Sequence, residues 1–285
     1  MTIQHADHET ERAKFLAKYD YMISLRRRDW CWEFLRRNFD FAAMAFDELN
    51  AVKRSESCLQ GGQNLRLSSP QSNAERWGLL FFPNPDIPAP RADVFWVPER
   101  DPFIVPMVVG PRRLDEEDKM YAQIVEAATI HVLRDAFGQE HLLTKGRFAT
   151  AQSICTGQSI LAATETFKLN LHIEGPESAK SALAAYERAS AILHEGPWEW
   201  TEKTLRLRNA LICLDVKEAG LSLRHAAEMI YGKHRVDDTW SEDKSFRDSV
   251  RSLYRTGVRL RDRDYLKILR KAPFEINTDL AIQLR

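Results

Sequence analysis

The chain has 285 residues, 44% hydrophobic and 29% charged, and its 41 Lys and Arg balance 41 Asp and Glu. That composition supports a sizeable core and excludes wholesale disorder, while a net charge of zero argues neither for nor against a polyanionic partner. The four cysteines, at 31, 58, 155 and 213, are too scattered for a disulfide scaffold or a Cys-x-x-Cys pair, and no uncharged run reaches the roughly 18 residues of a membrane helix. The charged start MTIQHADHETERAKF does not read as a secretory signal, so the expected setting is cytoplasmic, without a membrane partner.

Phe15, Tyr19, Met22 and Ile23 recur at the three-and-four spacing of an amphipathic helix, and a second helix is expected from about Asp29. Trp30, Phe34, Leu35, Phe39 and Phe41 give that stretch an aromatic side, and Arg26, Arg27, Arg28, Arg36 and Arg37 give it a basic one. Residues 13–49 are therefore expected to form a helical module. Residues 50–75 are rich in Ser, Gln, Asn and Gly, with Gly61-Gly62 near the middle, and read as a flexible linker.

From Arg76 onward, RWGLLFF, ADVFWV and PFIVPMVV read as strands. PNPDIPAP forms a stiff connection between the first two, and Pro102 and Pro106 place the third at an edge. A short helix is expected over 115–126. TIHVLRDAFGQEHLLTK reads as a hairpin turning at Asp135–Gly138, and Phe167, Leu169, Leu171 and Ile173 alternate as in a strand. Residues 76–195 thus read as a central antiparallel β region, closed by a helix over 176–194 that has Pro176 in its first turn.

Residues 196–275 read as helical. One helix runs over about 201–219, with Leu205, Leu207, Leu211, Ile212 and Leu214 on its core side and Gly220 as its stop. Another starts at the N-cap Ser222 and ends at Gly232. After a polar connection, KHRVDDTWSED, a long helix is expected from about Lys244 to Leu260. The expected fold class is α+β: an N-terminal helical module, a central antiparallel β region and a C-terminal three-helix helix-turn-helix.

Enzyme signatures are missing. There is no glycine-rich phosphate loop, no His-Glu-x-x-His and no Gly-x-Ser-x-Gly, so neither catalytic residues, metal ligands nor a cofactor are assigned. Charge placement is more informative. Residues 244–271 hold ten Lys and Arg against three Asp and Glu. Arg247, Arg251, Arg255 and Arg259 recur every four residues, which on a helix makes a stripe drifting about 40° per step. Phe246, Val250, Leu253, Tyr254 and Leu260 fall on the other side. A helix docked by its apolar side would then offer guanidinium forks to phosphates and guanine edges. The competing reading is a solvated face, or one that binds an acidic protein, with Asp237, Asp238, Glu242 and Asp243 supplying some pairing. The connection at 232–243 is longer than the usual turn of three or four residues. In the N-terminal module, Trp30, Trp32 and Phe34 form either a small core or a partner-docking side rimmed by Arg36 and Arg37.

Three stretches carry a family resemblance: YDYMISLRRRDWCWEFLRRN at 19–38, RWGLLFFPNPDIPAPRADVFWVPE at 76–99, and SLRHAAEMIYG with SFRDSVRSLYRTGVRL and DYLKILR in the C-terminal part. Together they resemble FseA-like transcriptional activators of integrative and conjugative elements, whose C-terminal domain also occurs alone in QseM-like antiactivators. The resemblance implies a DNA-binding activator of excision and transfer genes, and so a role in horizontal gene transfer. The partners it implies are promoter DNA, RNA polymerase and a small antiactivator. It implies a recognition helix bearing Ser245, Arg247, Arg251 and Arg255, preceded by Lys244 and followed by Arg259, and a scaffold helix opened by Ser222 and Arg224. Antiactivator relatives use the same fold to bind protein, so a protein-interaction module that never touches DNA stands as the alternative.

Overall fold

The computed structural model describes residues 2–56, 62–111, 128–147, 150–162, 167–190 and 199–270. The expected helix over 115–126 lies outside them. The described residues divide into two compact units, one within 1–25 and 197–265 and the other within 26–196 and 266–285. This division places residues 13–25 with the C-terminal helices and 26–49 with the sheet.

The sheet unit opens with helices α2 (Arg27–Leu35) and α3 (Phe39–Glu48), α1 (Thr2–Ala17) belonging to the other unit. Asn38 caps α3 by accepting from the Phe41 N–H at 3.0 Å. Among the described residues the sheet has seven strands: β1 (Val52–Glu56), β2 (Gln63–Leu67), β3 (Val105–Pro111), β4 (Ala128–Arg134), β5 (Glu140–Gly146), β6 (Thr150–Gly157) and β7 (Phe167–Leu171). Their order is β1-β2-β4-β5-β6-β3-β7.

Three expectations are corrected here. The polar stretch 50–75 carries β1 and β2, paired antiparallel from Val52↔Leu67 to Glu56↔Gln63. Leu65 and Leu67 turn into the core there, so two buried positions suffice to hold a strand that composition reads as linker. Next, the sheet is mixed: β2 runs parallel to β4, and β3 parallel to β6. Finally, β3 lies between β6 and β7, away from the edge. Pro106 is tolerated because its neighbour on that side, His172, lies just past the end of β7; the Pro106 carbonyl accepts from the His172 N–H at 2.9 Å. The hairpin of β4 and β5 forms as expected. Asp135 accepts from the N–H groups of Phe137 and Gln139, both at 2.9 Å, and Gly138 takes φ +86°.

Alternation along the strands sends Val105, Met107, Val109, Ile130, Val132, Leu142, Cys155 and Leu169 to one face, where Ala185 of α5 (Pro176–Ala189) joins them. The other face carries Val52, Leu65, Leu67, Leu133 and Leu143 beneath Leu80, Phe81, Phe95 and Val97. The segments expected as strands at 76–82 and 92–97 are in fact irregular, joined by one bridge between Leu79 and Trp96. Side chains satisfy the backbone groups that a ladder would have paired. Gln152, wholly buried on β6, accepts from the Trp96 N–H and donates to the Trp96 carbonyl, both at 2.9 Å. Its oxygen also takes a bond from Arg28, whose Nε pairs with buried Asp101 at 2.8 Å.

The proline-rich connection is pinned to α2 in the same way. Glu33, with no solvent exposure, accepts from the Ala89 N–H at 2.8 Å and pairs with Arg36 at 2.8 Å and Arg37 at 2.7 Å. Trp32 donates to the Ile87 carbonyl and Arg36 to that of Pro85. Burial alone would raise the Glu33 pKa, but Arg37, Arg36 and the Ala89 N–H together hold it below the usual carboxylate range. Asp29 is different. Burial pushes its pKa up to about 6 against the bond it accepts from the Arg26 N–H.

Asp29 therefore binds its proton more tightly in the folded chain. Its ionisation costs stability as pH rises from about 4 through about 6, and the cost is complete above that window. Asp29→Asn keeps an acceptor for the Arg26 N–H and removes the charge. The variant is expected to gain on the wild type by about 2–3 kcal/mol between pH 4 and pH 7, read as the difference of chemical denaturation midpoints at the two pH values.

Candidate nucleic-acid interface

The second unit is helical: α1, a 3-10 turn at Asp20–Ser24, α6 (Glu202–Glu218), α7 (Leu223–Tyr231), α8 (Lys233–Thr239) and α9 (Lys244–Arg259). A π-helical turn, Leu260–Asp264, continues α9. The expected N-cap and stops form. Ser222 accepts from the His225 N–H at 3.0 Å, while Gly220 and Gly232 take φ of +78° and +88°. The stretch 232–243, expected to be a polar connection, contains α8, which follows α7 across Gly232 alone. Val236 makes this possible: it is fully buried and gives the polar sequence one core anchor.

Helix α6 is the hub. Leu207, Leu211, Ile212 and Leu214 are buried on it, as expected, and α9 packs across it. The crossing is close at Gly257, where a Cβ would sit 2.7 Å from the Ala210 carbonyl oxygen. Val250 and Leu253 of α9 are buried, and the Phe246 ring lies 5.3 Å from that of Tyr231 and 6.1 Å from that of Trp240. Helix α1 braces this arrangement. Arg12 donates to the carbonyls of Met229 and Ile230 in the last turn of α7, at 3.1 and 3.2 Å, and Tyr19 donates to Asp215 of α6 at 2.9 Å. Sequence periodicity gave no sign of these long-range contacts.

The expected arginine column is divided between two tasks. Arg247 is turned to the backbone, donating to the carbonyls of Trp240 and Ser241, and so closes the link from α8 to α9. Arg224 pairs with Glu228 at 3.2 Å and Asp237 at 2.6 Å, and Asp237 also takes Lys233 at 2.9 Å. These bonds hold the Arg224 pKa above its usual value and that of Asp237 below the carboxylate range. Ser245 donates to Asp243, which caps α9 by accepting from the N–H groups of Ser245 and Phe246. Ser222 is likewise spent as a cap.

The others remain available. Lys244 and Arg255 are exposed and carry no ion pair among the described residues. Arg251 meets Asp248 at 2.8 Å, but the side chains are 51% and 50% exposed, and such a pair contributes about 0–1 kcal/mol. Arg259 reaches Asp264 at 3.2 Å while staying 60% exposed. Lys244, Arg251 and Arg255 span about 40° of the helix and about 16 Å of its length.

The aromatic residues expected to dock a partner do not form a surface. Trp30, Trp32 and Phe34 are at most 1% exposed, and Arg36 and Arg37 are tied to Glu33. They take the small-core reading: Phe41 sits among Trp32, Trp77 and Phe82 with ring centroids 5.5–5.7 Å away. Among the described residues no group of three or more His, Cys, Asp and Glu could hold a metal ion, and no helix is long and apolar enough to cross a membrane.

Two family models match the chain. Residues 171–270 match the DNA-binding domain of a T6SS transcription factor, and residues 15–82 match a proteobacterial transcriptional regulator-like domain. No curated protein matches it. The chain thus carries two segments of the transcriptional-regulator and DNA-binding type.

Because Arg247 holds backbone and Gly257 sits at the helix crossing, each is expected to act on stability. Gly257→Ala should destabilise by about 1–3 kcal/mol as α9 is pushed off α6. Arg247→Ala should cost about 1–2 kcal/mol through lost bonds to carbonyls. Urea denaturation followed by tryptophan fluorescence measures both.

Proposed function

We propose that this protein is a DNA-binding transcriptional activator of the FseA-like type. It acts in the cytoplasm on genes for excision and transfer of a mobile element. The helical unit contacts promoter DNA, and RNA polymerase and a small antiactivator are its protein partners. The observation that carries the reading is the set Lys244, Arg251 and Arg255 on one side of α9, exposed and either unpaired or weakly paired, within a segment that matches a DNA-binding domain model. A phosphate can displace Asp248 from Arg251 at little cost, because the pair already lies in water. Arg259 extends the set. Arg247, Arg224, Ser222 and Ser245 serve the frame that presents it.

The alternative, a protein-interaction module that does not bind DNA, has one observation in its favour. Asp237, Asp238, Glu242 and Asp243 are exposed, so the unit presents both signs of charge.

Arg255→Ala and Lys244→Ala are each expected to weaken binding of the full chain to its promoter fragment. Each lost phosphate contact should also reduce the slope of log K against log salt by roughly 0.9. Arg224→Ala should leave both unchanged. Fluorescence anisotropy across a salt series checks this. Unaltered affinity and slope in the Lys244→Ala/Arg255→Ala double variant, together with a pull-down partner that survives DNase, would establish the alternative.

A further inference from the structure

The sheet unit contains a cavity of about 690 Å³ that the DNA-binding reading leaves unused. Its size falls within the range of small-molecule sites. One wall is apolar, made by Leu67 of β2, Leu80, Val97 and Ile154 of β6. Its polar part centres on the β4–β5 hairpin. His141 lines it at 1% exposure, and its Nδ1 has no hydrogen-bond partner. Its Nε2 lies 3.5 Å from Asp135 Oδ2. Burial lowers the His141 pKa, outweighing Asp135 and Glu99, so the imidazole is neutral and adds no positive charge. Asp135 uses Oδ1 to hold the hairpin turn, which leaves Oδ2 with spare accepting capacity.

Charges of both signs line the same cavity. Glu75 and Arg76 come from α4 (Ser72–Arg76), and Glu99 and Arg100 follow Val97. None of these four is held in an ion pair among the described residues. Phe137, at the hairpin tip, also lines the cavity and is 82% exposed, an aromatic face without a role in the core. Carboxylates beside an exposed aromatic ring suit an ammonium group. Unpaired guanidinium groups suit a carboxylate. The wall between them suits an apolar body.

We propose that this cavity binds a small zwitterion of the apolar α-amino-acid type. Asp135, Glu99 and Phe137 receive its ammonium group, Arg76 and Arg100 its carboxylate, and the apolar wall its side chain. The site would make a DNA-binding regulator responsive to a metabolite, but its existence does not depend on DNA contact.

L-phenylalanine is the probe, with phenethylamine and 3-phenylpropionate as analogues carrying only one of the two charges. Isothermal titration calorimetry on the full chain should show L-phenylalanine binding at least tenfold more tightly than either analogue. The rim variant Arg76→Gln/Arg100→Gln should lose about tenfold for L-phenylalanine and little for phenethylamine. Glu99→Gln should weaken both ligands that carry an ammonium group and spare 3-phenylpropionate. These substitutions replace side chains outside the core, so the fold is retained and circular dichroism verifies it. The proposal is overturned if no ligand gives heat or a thermal shift at millimolar concentration. It is equally overturned if L-phenylalanine binds but the rim variants leave its affinity unchanged.

Discussion

Glu33, Arg28, Arg224 and Arg247 each keep a charge for which a partner has been built, and that requirement decides which residues remain for function. Glu33 has no access to water and is matched by two guanidinium groups and a backbone N–H. Removing one member of such a set strands the others, at a cost of about 3–5 kcal/mol. The same rule governs Arg28, which is tied to Asp101 and Gln152 and thereby fixes the irregular segment around Trp96. In the helical unit the rule is milder but takes the same form: Arg224 with Asp237, and Arg247 with two carbonyls. Each arginine so engaged contributes to the frame, and what the frame leaves over is the surface available to a ligand.

Local chemistry was legible in the sequence, and partnership across the chain was not. Ser222, Gly220, Gly232 and the Asp135–Gly138 turn act through backbone geometry within four residues, so their types and spacing were enough to locate them. The arginine stripe was legible as a period. Its division between structural and available members was not, because Asp237 lies 13 residues from Arg224 and the carbonyls that hold Arg247 lie across the turn between α8 and α9. Strand pairing failed for a similar reason. β1 and β2 rest on a few inward residues in a polar stretch, and the parallel neighbours β2 and β4 are far apart in sequence.

The aromatic N-terminal segment shows how composition misleads about exposure. By composition, Trp30, Trp32 and Phe34 flanked by arginines resemble a surface that stacks bases and holds phosphates. In the fold, Trp32 donates its indole N–H to the Ile87 carbonyl and packs edge-on to Phe41, while Arg36 and Arg37 neutralise Glu33. One acidic residue inside the basic segment, Glu33 in WCWEFLRR, carried the contrary signal. An acid three and four residues before two arginines on a helix is placed to pair with both.

The same spacing rule bears on the basic side of α9, which we propose contacts DNA. Asp248 lies among Lys244, Arg251 and Arg255, and it lowers the local positive potential in the free protein. Because the pair with Arg251 is half exposed, it stabilises the fold little, yet it lets the guanidinium group rest in a defined place. On the proposed reading, binding would exchange one carboxylate contact for a phosphate contact and leave Asp248 beside the same phosphate. A sequence able to position the phosphate against Arg251 but away from Asp248 would be favoured over one that cannot. An acid within a basic stripe thus turns non-specific attraction into a requirement on geometry, which is the repulsive half of specificity.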